Sequence, residues 1–149
     1  MRGPDGTDPH PGLFRKVGMK PIIAACAAFF GGDMIWLWNT AAIYRRMLPP
    51  ILAARPVLWA VLGFYIVYLV GLMIFCVRPG LRDPWHRAAG RGAIFGFVAY
   101  ATYDLTNQAT IAGWPVSITV MDLIWGTFLS GFACFAGWLA SRPRSRAEI

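Results

Sequence analysis

Four long runs of apolar residues follow one another along the chain, separated by short segments that hold most of the charges. The second run, 57–77, has 21 residues without a charge, the length that crosses about 30 Å of hydrocarbon as a helix. The first run covers about 21–44, the third about 88–111 and the fourth about 115–140. The pattern predicts an all-α fold, an integral membrane bundle of four transmembrane helices, with a membrane domain over 19–141.

Both ends of the chain lack this apolar pattern. Residues 1–18 are rich in proline and glycine, which predicts a flexible N-terminal tail. Organised sequence begins at Met19, which is therefore a second candidate for the start of the protein. The first apolar run is longer than the apolar core of a cleaved signal peptide, so we interpret it as a membrane span. Residues 142–149 form a short basic C-terminal tail.

Composition and charge fit a membrane protein. The chain is 57% hydrophobic and 14% charged, against roughly 45–50% and about 25% in soluble domains. Its net charge of +7 comes from basic residues beside the apolar runs, which favours anionic lipid at cytoplasmic loops over nucleic acid as the partner. Of 14 Lys and Arg, only Arg45, Arg46 and Arg55 lie on the side opposite both tails. This asymmetry predicts a multi-pass inner-membrane (cytoplasmic-membrane) protein with both termini in the cytoplasm.

No motif indicates a cofactor or a metal. Cys26, Cys76 and Cys134 each stand alone inside an apolar run, which is typical of small packing residues. The sequence also lacks a serine nucleophile elbow and a glycine-rich phosphate loop. We therefore expect no cofactor and no metal site, and the sequence favours a role other than catalysis.

Small residues recur at four-residue spacing in the third and fourth runs. They form the patterns Gly92-x-x-x-Gly96 and Gly126-x-x-x-Ser130-x-x-x-Cys134. Because this spacing places small side chains on one helix face, it predicts close packing between helices within the bundle.

Three of the seven acidic residues, Asp33, Asp104 and Asp122, fall inside the predicted spans. An aspartate at the centre of a membrane helix costs roughly 2.5–3.5 kcal/mol on insertion scales, so such residues usually face the bundle interior and mark a function. A helical hairpin through Trp114-Pro115 places Asp104 and Asp122 at nearly the same depth, and we predict that they are close neighbours. Asp33 lies closer to the bilayer centre.

Polar and aromatic residues accompany these acids. Asp104 shares one helix face with neighbours at helical spacing, and Asp33 and Asp122 each precede by three residues a tryptophan whose indole N–H can donate. Besides the three acids, the predicted ligand or proton site contains Trp36, Tyr100, Tyr103, Asn107 and Trp125.

Two arginines complete the predicted site. Arg45 and Arg46 lie at the outer end of the first span, from which a long side chain can bend along its helix toward Asp104 and Asp122. The alternative is that both arginines bind lipid phosphates. The hypothesis is an outward-facing polar pocket in which Arg45 or Arg46 pairs with Asp104 and Asp122. If the acids are unpaired, two carboxyl groups in contact can share one proton.

Several spaced motifs run through the chain. They are Asp33-x-x-Trp36-Leu37, Tyr44-Arg45-Arg46, Tyr65-x-x-Tyr68-x-x-Gly71, Gly96-x-x-x-Tyr100-x-x-Tyr103-Asp104-x-Thr106-Asn107-x-x-Thr110, Trp114-Pro115 and Asp122-x-x-Trp125-Gly126. From about Met19 to Leu139, the chain resembles a family of small bacterial membrane proteins catalogued as domain of unknown function 2177. The resemblance implies a four-span inner-membrane protein and carries no established activity.

The sequence leaves three functions open. The first is a polar intramembrane site that binds or moves a small ligand, a cation or a proton. The second is a non-catalytic accessory or structural subunit of a larger membrane complex, with a membrane protein as partner and the acids in interhelical hydrogen bonds. The third is a lipid-modifying membrane enzyme that uses Asp104 and Asp122 as an acid/base pair.

Overall fold

The computed structural model describes residues 18–48 and 55–142. These two ranges contain four long helices and no strand, as predicted. The helices are α1 (Met19–Met47), α2 (Leu58–Gly80), α3 (Trp85–Thr110) and α4 (Val116–Ala140). Apart from Gly18 and Arg142, the predicted tails lie outside the described residues.

Three of the four helices, α1, α2 and α4, are long and apolar enough to cross a membrane. Helix α3 has 26 residues, which at 1.5 Å per residue is also sufficient length. It is less apolar than the others because it carries Arg91, Asp104 and Asn107 together with several threonines.

The helices alternate in direction. We call the end of the bundle that holds Met19, Gly80, Trp85 and Ala140 the inner end, and the opposite end the outer end. At the inner end, the Trp138 indole donates to the backbone oxygen of Asp83 at 2.9 Å. At the outer end, a short turn joins α3 to α4, and Gly113 adopts φ 77° there, a conformation that favours glycine.

Helices α3 and α4 pack with their backbones in close contact. A Cβ atom added at Gly96 would collide with the backbone oxygen of Gly126, and one added at Gly92 would collide with that of Ser130. Lipid provides little hydrophobic drive for helix association, so close van der Waals packing of this kind holds the pair together. The small-residue patterns therefore act within the bundle, as predicted.

Helices α1 and α2 join this pair in different ways. Helix α1 packs along α4, where Gly137 lies against Pro21 and Ala25. Helix α2 contacts the other helices chiefly through its inner half, around a π-helical turn at Met73–Val77. Its outer half, from Leu58 onward, has few backbone contacts with the other helices and reaches them through the buried side chains of Tyr65 and Tyr68. This separation opens the bundle on its outer side.

The close contact between α3 and α4 predicts a strong effect of adding a single methyl group. Overpacking of a tight contact typically costs about 1–3 kcal/mol, so Gly96→Ala should lower the free energy of unfolding by that amount. Gly90→Ala on the same helix is the matched control, because nothing lies within 4 Å of its added Cβ. Unfolding of both variants in detergent micelles measures the difference. Equal stabilities of the two variants would contradict the packing described here.

Candidate functional site

A cavity of about 670 Å³ lies between the outer half of α2 and the other three helices. Its volume falls in the range of small-molecule sites, roughly 300–1,000 Å³. Two tryptophans, Trp36 and Trp125, line it together with Phe64. All five tyrosines of the chain also line it, and these are Tyr44, Tyr65, Tyr68, Tyr100 and Tyr103.

Two of the three intramembrane acids, Asp33 and Asp122, also line this cavity. None of the lining residues in the described ranges is a lysine, arginine or histidine. The walls are therefore aromatic, and the ionisable charge that they offer is negative.

Asp33 receives its hydrogen bond from α2. The hydroxyl of Tyr65 donates to a carboxylate oxygen of Asp33 at 2.5 Å, and both side chains are buried. The Tyr65 ring also packs edge-on against Phe30, with centroids 5.2 Å apart. The bond connects α1 to the outer part of α2 across the cavity.

Asp122 receives its hydrogen bond from α1. The hydroxyl of Tyr44 donates to a carboxylate oxygen of Asp122, which is itself buried. Each of the two cavity acids is thus bound by a tyrosine from a different helix. A tyrosine hydroxyl can satisfy a buried carboxyl group in either protonation state, because it can donate or accept.

The two Asp-x-x-Trp motifs meet face to face in the structure. The rings of Trp36 and Trp125 stack with centroids 4.5 Å apart and an interplanar angle of 8°. Because α1 and α4 run in opposite directions, Asp33 lies on the inner side of this tryptophan pair and Asp122 on its outer side. The indole nitrogen of Trp125 is buried without a hydrogen-bond partner among the described residues. The tyrosines, and not the tryptophans, are the donors to the acids.

Asp104 lies next to this cavity and does not line it. Its side chain is 0% exposed, and neither carboxyl oxygen has a hydrogen-bond partner among the described residues. It is close enough to Asp122 for the two carboxyl groups to repel each other when both are charged. On the same helix, the side-chain nitrogen of Asn107 is also buried without a partner in the described part of the chain.

Arg45 and Arg46 do not neutralise these acids. Both side chains are exposed, and within the described ranges neither forms an ion pair with these acids. The reason is helical geometry: Tyr44 faces Asp122, and the next two residues are rotated by about 100° and 200° away from that face. The expected pairing of these arginines with Asp104 and Asp122 is replaced by the Tyr44 hydrogen bond.

Residues 100 and 103 take different positions at the cavity. The ring of Tyr100 packs directly over Gly126, where a Cβ atom would collide with it. Tyr103 is 61% exposed and packs edge-on against Trp114, with centroids 6.2 Å apart. Tyr103 therefore lies at the mouth of the cavity and Tyr100 forms its wall.

Comparison with known proteins gives one match. A family described as predicted membrane protein (DUF2177) matches residues 19–139. The chain belongs to this family. The matched range contains every residue that lines the cavity, as well as Asp104. No curated protein and no solved structure matches the chain.

Three tyrosines of this DUF2177 site were not among the predicted site residues. They are Tyr44, Tyr65 and Tyr68, and the last accepts or donates a 2.8 Å hydrogen bond with the Ser130 hydroxyl. The distribution of tyrosine could have indicated them. The chain has only five tyrosines in 149 residues, and all five fall in or beside the predicted spans. Residues 65 and 68 also stand in the spaced motif Tyr65-x-x-Tyr68-x-x-Gly71.

The Asp33–Tyr65 bond predicts a specific loss of stability. Tyr65→Phe removes the donor and leaves a buried carboxyl group without a partner, which should cost about 1–2 kcal/mol. Tyr103→Phe, the control, should cost less than about 0.5 kcal/mol, since its exposed hydroxyl can reach water or headgroups. Unfolding in detergent or in bilayers measures both. Indistinguishable losses would contradict a structural role for the bond.

Proposed function

We propose that this membrane protein binds a hydrophobic organic cation in the cavity between the outer half of α2 and the other helices. The observation that carries the proposal is the composition of the wall. Five tyrosines, two tryptophans and two aspartates line the cavity, and none of the described residues that line it is basic.

Aromatic walls suit an organic cation better than an inorganic one. A cation over the face of an aromatic ring gains about 2 kcal/mol or more when both are shielded from water. Magnesium and calcium ions instead require several oxygen ligands around a small volume. The described ranges contain no cluster of three or more His, Cys, Asp or Glu side chains that could hold a metal ion. A bulky, weakly hydrated ammonium or phosphonium ion fits both the volume and the charge.

The shape of the bundle favours an amphiphilic ligand. The cavity lies on the outer side, where α2 stands apart from the other helices, and the exposed Tyr103 marks its mouth. A ligand with apolar groups and one positive charge can pass from the outer bilayer interface into this space without losing contact with apolar surroundings.

Binding of tetraphenylphosphonium to the purified full chain tests the proposal. Trp36 and Trp125 line the cavity, so their fluorescence should change as the cation binds. Asp122→Asn removes one negative charge but keeps an acceptor for Tyr44, and it should weaken binding about tenfold or more. Asp83→Asn, the matched control, removes an aspartate outside the cavity and should bind like the unmodified protein. Lack of saturable binding by the unmodified chain would overturn the proposal.

One observation favours a second candidate, an accessory or structural subunit of a membrane complex. Asp33 and Asp122 are both satisfied by hydrogen bonds within the chain, as the acids of a static bundle would be. The same titration separates the two functions, because a structural subunit does not need to bind the cation. Co-purification of a stoichiometric membrane protein without cation binding would support the second candidate.

We further propose that the protein lies in a bacterial inner membrane with both termini in the cytoplasm. Exposed arginines concentrate at the inner end of the bundle, where they can contact anionic headgroups. The outer end carries fewer basic residues. Those of the inner end are Arg78, Arg82, Arg87, Arg91 and Arg142.

Cysteine labelling tests this orientation. In a chain whose native cysteines are replaced by alanine, we expect a membrane-impermeant maleimide to label Arg55→Cys in intact cells. We expect Arg87→Cys to react only after the cells are opened. Both positions are exposed in the structure, so both should react in lysed cells. The reverse pattern in intact cells would contradict the proposed orientation.

A further inference from the structure

The cavity is lined by two acids, whereas a ligand with one positive charge needs only one of them. Asp122 lies on the outer side of the stacked tryptophan pair and Asp33 on its inner side, and both side chains are buried. Burial penalises an ionised acid that has no positive partner. Two acids in one aromatic cavity therefore favour a ligand that carries two positive charges.

The two acids are separated along the axis of the bundle. Asp33 lies three residues before Trp36 on α1. Asp122 lies three residues before Trp125 on α4, which runs in the opposite direction. Since the two tryptophan rings stack on each other, a rise of about 1.5 Å per residue places the acids about 9 Å apart along the axis.

The hydrogen bond of Tyr44 supports the same separation. Tyr44 lies eleven residues beyond Asp33 on α1, which corresponds to about 16 Å along the helix. Its side chain leans toward the start of its own helix, and its hydroxyl reaches back by about 6 Å to Asp122. The remaining distance between the two acids agrees with the value from the tryptophan pair.

The wall between the two acids is apolar and aromatic. Trp36 and Trp125 lie there, and Val61 and Phe64 of α2 line the cavity as well. Such a wall suits an uncharged spacer that connects two positive groups, because the spacer loses no contact with water that it needs.

The inner end of the cavity limits how far a ligand can extend. Tyr68 lines this end and stacks on Phe29 of α1, with ring centroids 4.7 Å apart. It also lies edge-on to Phe95 of α3, at 5.3 Å. The packed rings leave Asp33 as the innermost residue of α1 that lines the cavity.

Both acids can contact a ligand while they keep their tyrosine partners. Tyr65 donates to one oxygen of Asp33, and Tyr44 donates to one oxygen of Asp122. A carboxylate has about four acceptor positions, so one tyrosine bond leaves room for a positive group beside the same acid. The two bonds hold the acids in place before the ligand arrives.

We propose that the cavity binds an organic dication whose two positive groups lie about 9 Å apart on an apolar spacer, one beside Asp33 and the other beside Asp122. This inference rests on the proposed cation site and names its ligand class. Asp33 is the second charged subsite, and the spacer lies along the tryptophan pair. The bound dication neutralises both ionised acids.

Three simple cations test the proposal. Hexamethonium holds two trimethylammonium groups about 9 Å apart when its six-carbon chain is extended. Hexyltrimethylammonium has the same chain with a single charge. In calorimetric titrations of the full chain in an uncharged detergent, hexamethonium should bind about tenfold more tightly or better. Butane-1,4-bis(trimethylammonium), with its charges only about 6 Å apart, should lose most of this advantage.

Variants of the acids test which residues recognise the second charge. Asp33→Asn removes the inner charge and keeps an acceptor for Tyr65, so the ratio of the two affinities should fall below about threefold. The ratio corrects for any general loss of affinity in the variant. Asp83→Asn, the matched control, removes an aspartate outside the cavity and should keep the tenfold ratio.

The outcomes separate this inference from the function on which it rests. Saturable binding in which hexamethonium binds no more tightly than hexyltrimethylammonium overturns the inference and leaves the cation site intact. A folded Asp33→Asn variant that keeps the tenfold ratio also overturns the inference. Lack of saturable binding of tetraphenylphosphonium and of all three aliphatic cations overturns the cation site itself. The comparison of the cations on the unmodified protein tests the inference even if the variant does not fold.

Discussion

The close backbone contact between α3 and α4 determines the position of most other features of this protein. Gly92 and Gly96 let the two helices approach until the backbone carbonyls of Ser130 and Gly126 fill the space that a Cβ would occupy. The contact fixes the register of the helical hairpin, which carries the buried Asp104 on α3 and the buried Asp122 on α4. It also seats the ring of Tyr100 on Gly126, so one wall of the cavity depends on the same packing.

The cavity exists because the backbone of α2 packs closely against the bundle only along its inner half. The π-helical turn holds its inner half against the bundle, together with a close contact at Gly80. A Cβ atom added at Gly80 would lie only 3.2 Å from Ala88. Its outer half reaches the bundle through side chains, by the Tyr65 hydrogen bond to Asp33 and by Tyr68, which shares a hydrogen bond with Ser130 and stacks on Phe29. Polar groups in a membrane interior must be satisfied within the protein, and here tyrosines satisfy two acids while their rings line the cavity. One residue type thus supplies both structural bonds and the aromatic wall of the proposed cation site.

Much of the fold could be predicted from the sequence, because the length of an apolar run and the spacing of small residues report directly on helix spans and helix contacts. The hairpin geometry also predicts that Asp104 and Asp122 lie at one depth. The partners of the acids could not be predicted in this way. Tyr44 and Arg45 are adjacent in sequence, and only the rotation of α1 about its axis decides which of them meets Asp122. The separation of α2 from the bundle likewise has no signature in its uniformly apolar sequence.

The central claim is that the tyrosine-lined cavity holds an organic cation beside Asp122. The most direct measurement is a crystal structure of the protein with tetraphenylarsonium, whose arsenic atom can be located by its anomalous scattering. We expect an arsenic peak inside the cavity, between the stacked pair Trp36 and Trp125 and the outer half of α2, and near Asp122. A cavity closed by α2, or an arsenic peak confined to the lipid-facing surface, would contradict the claim.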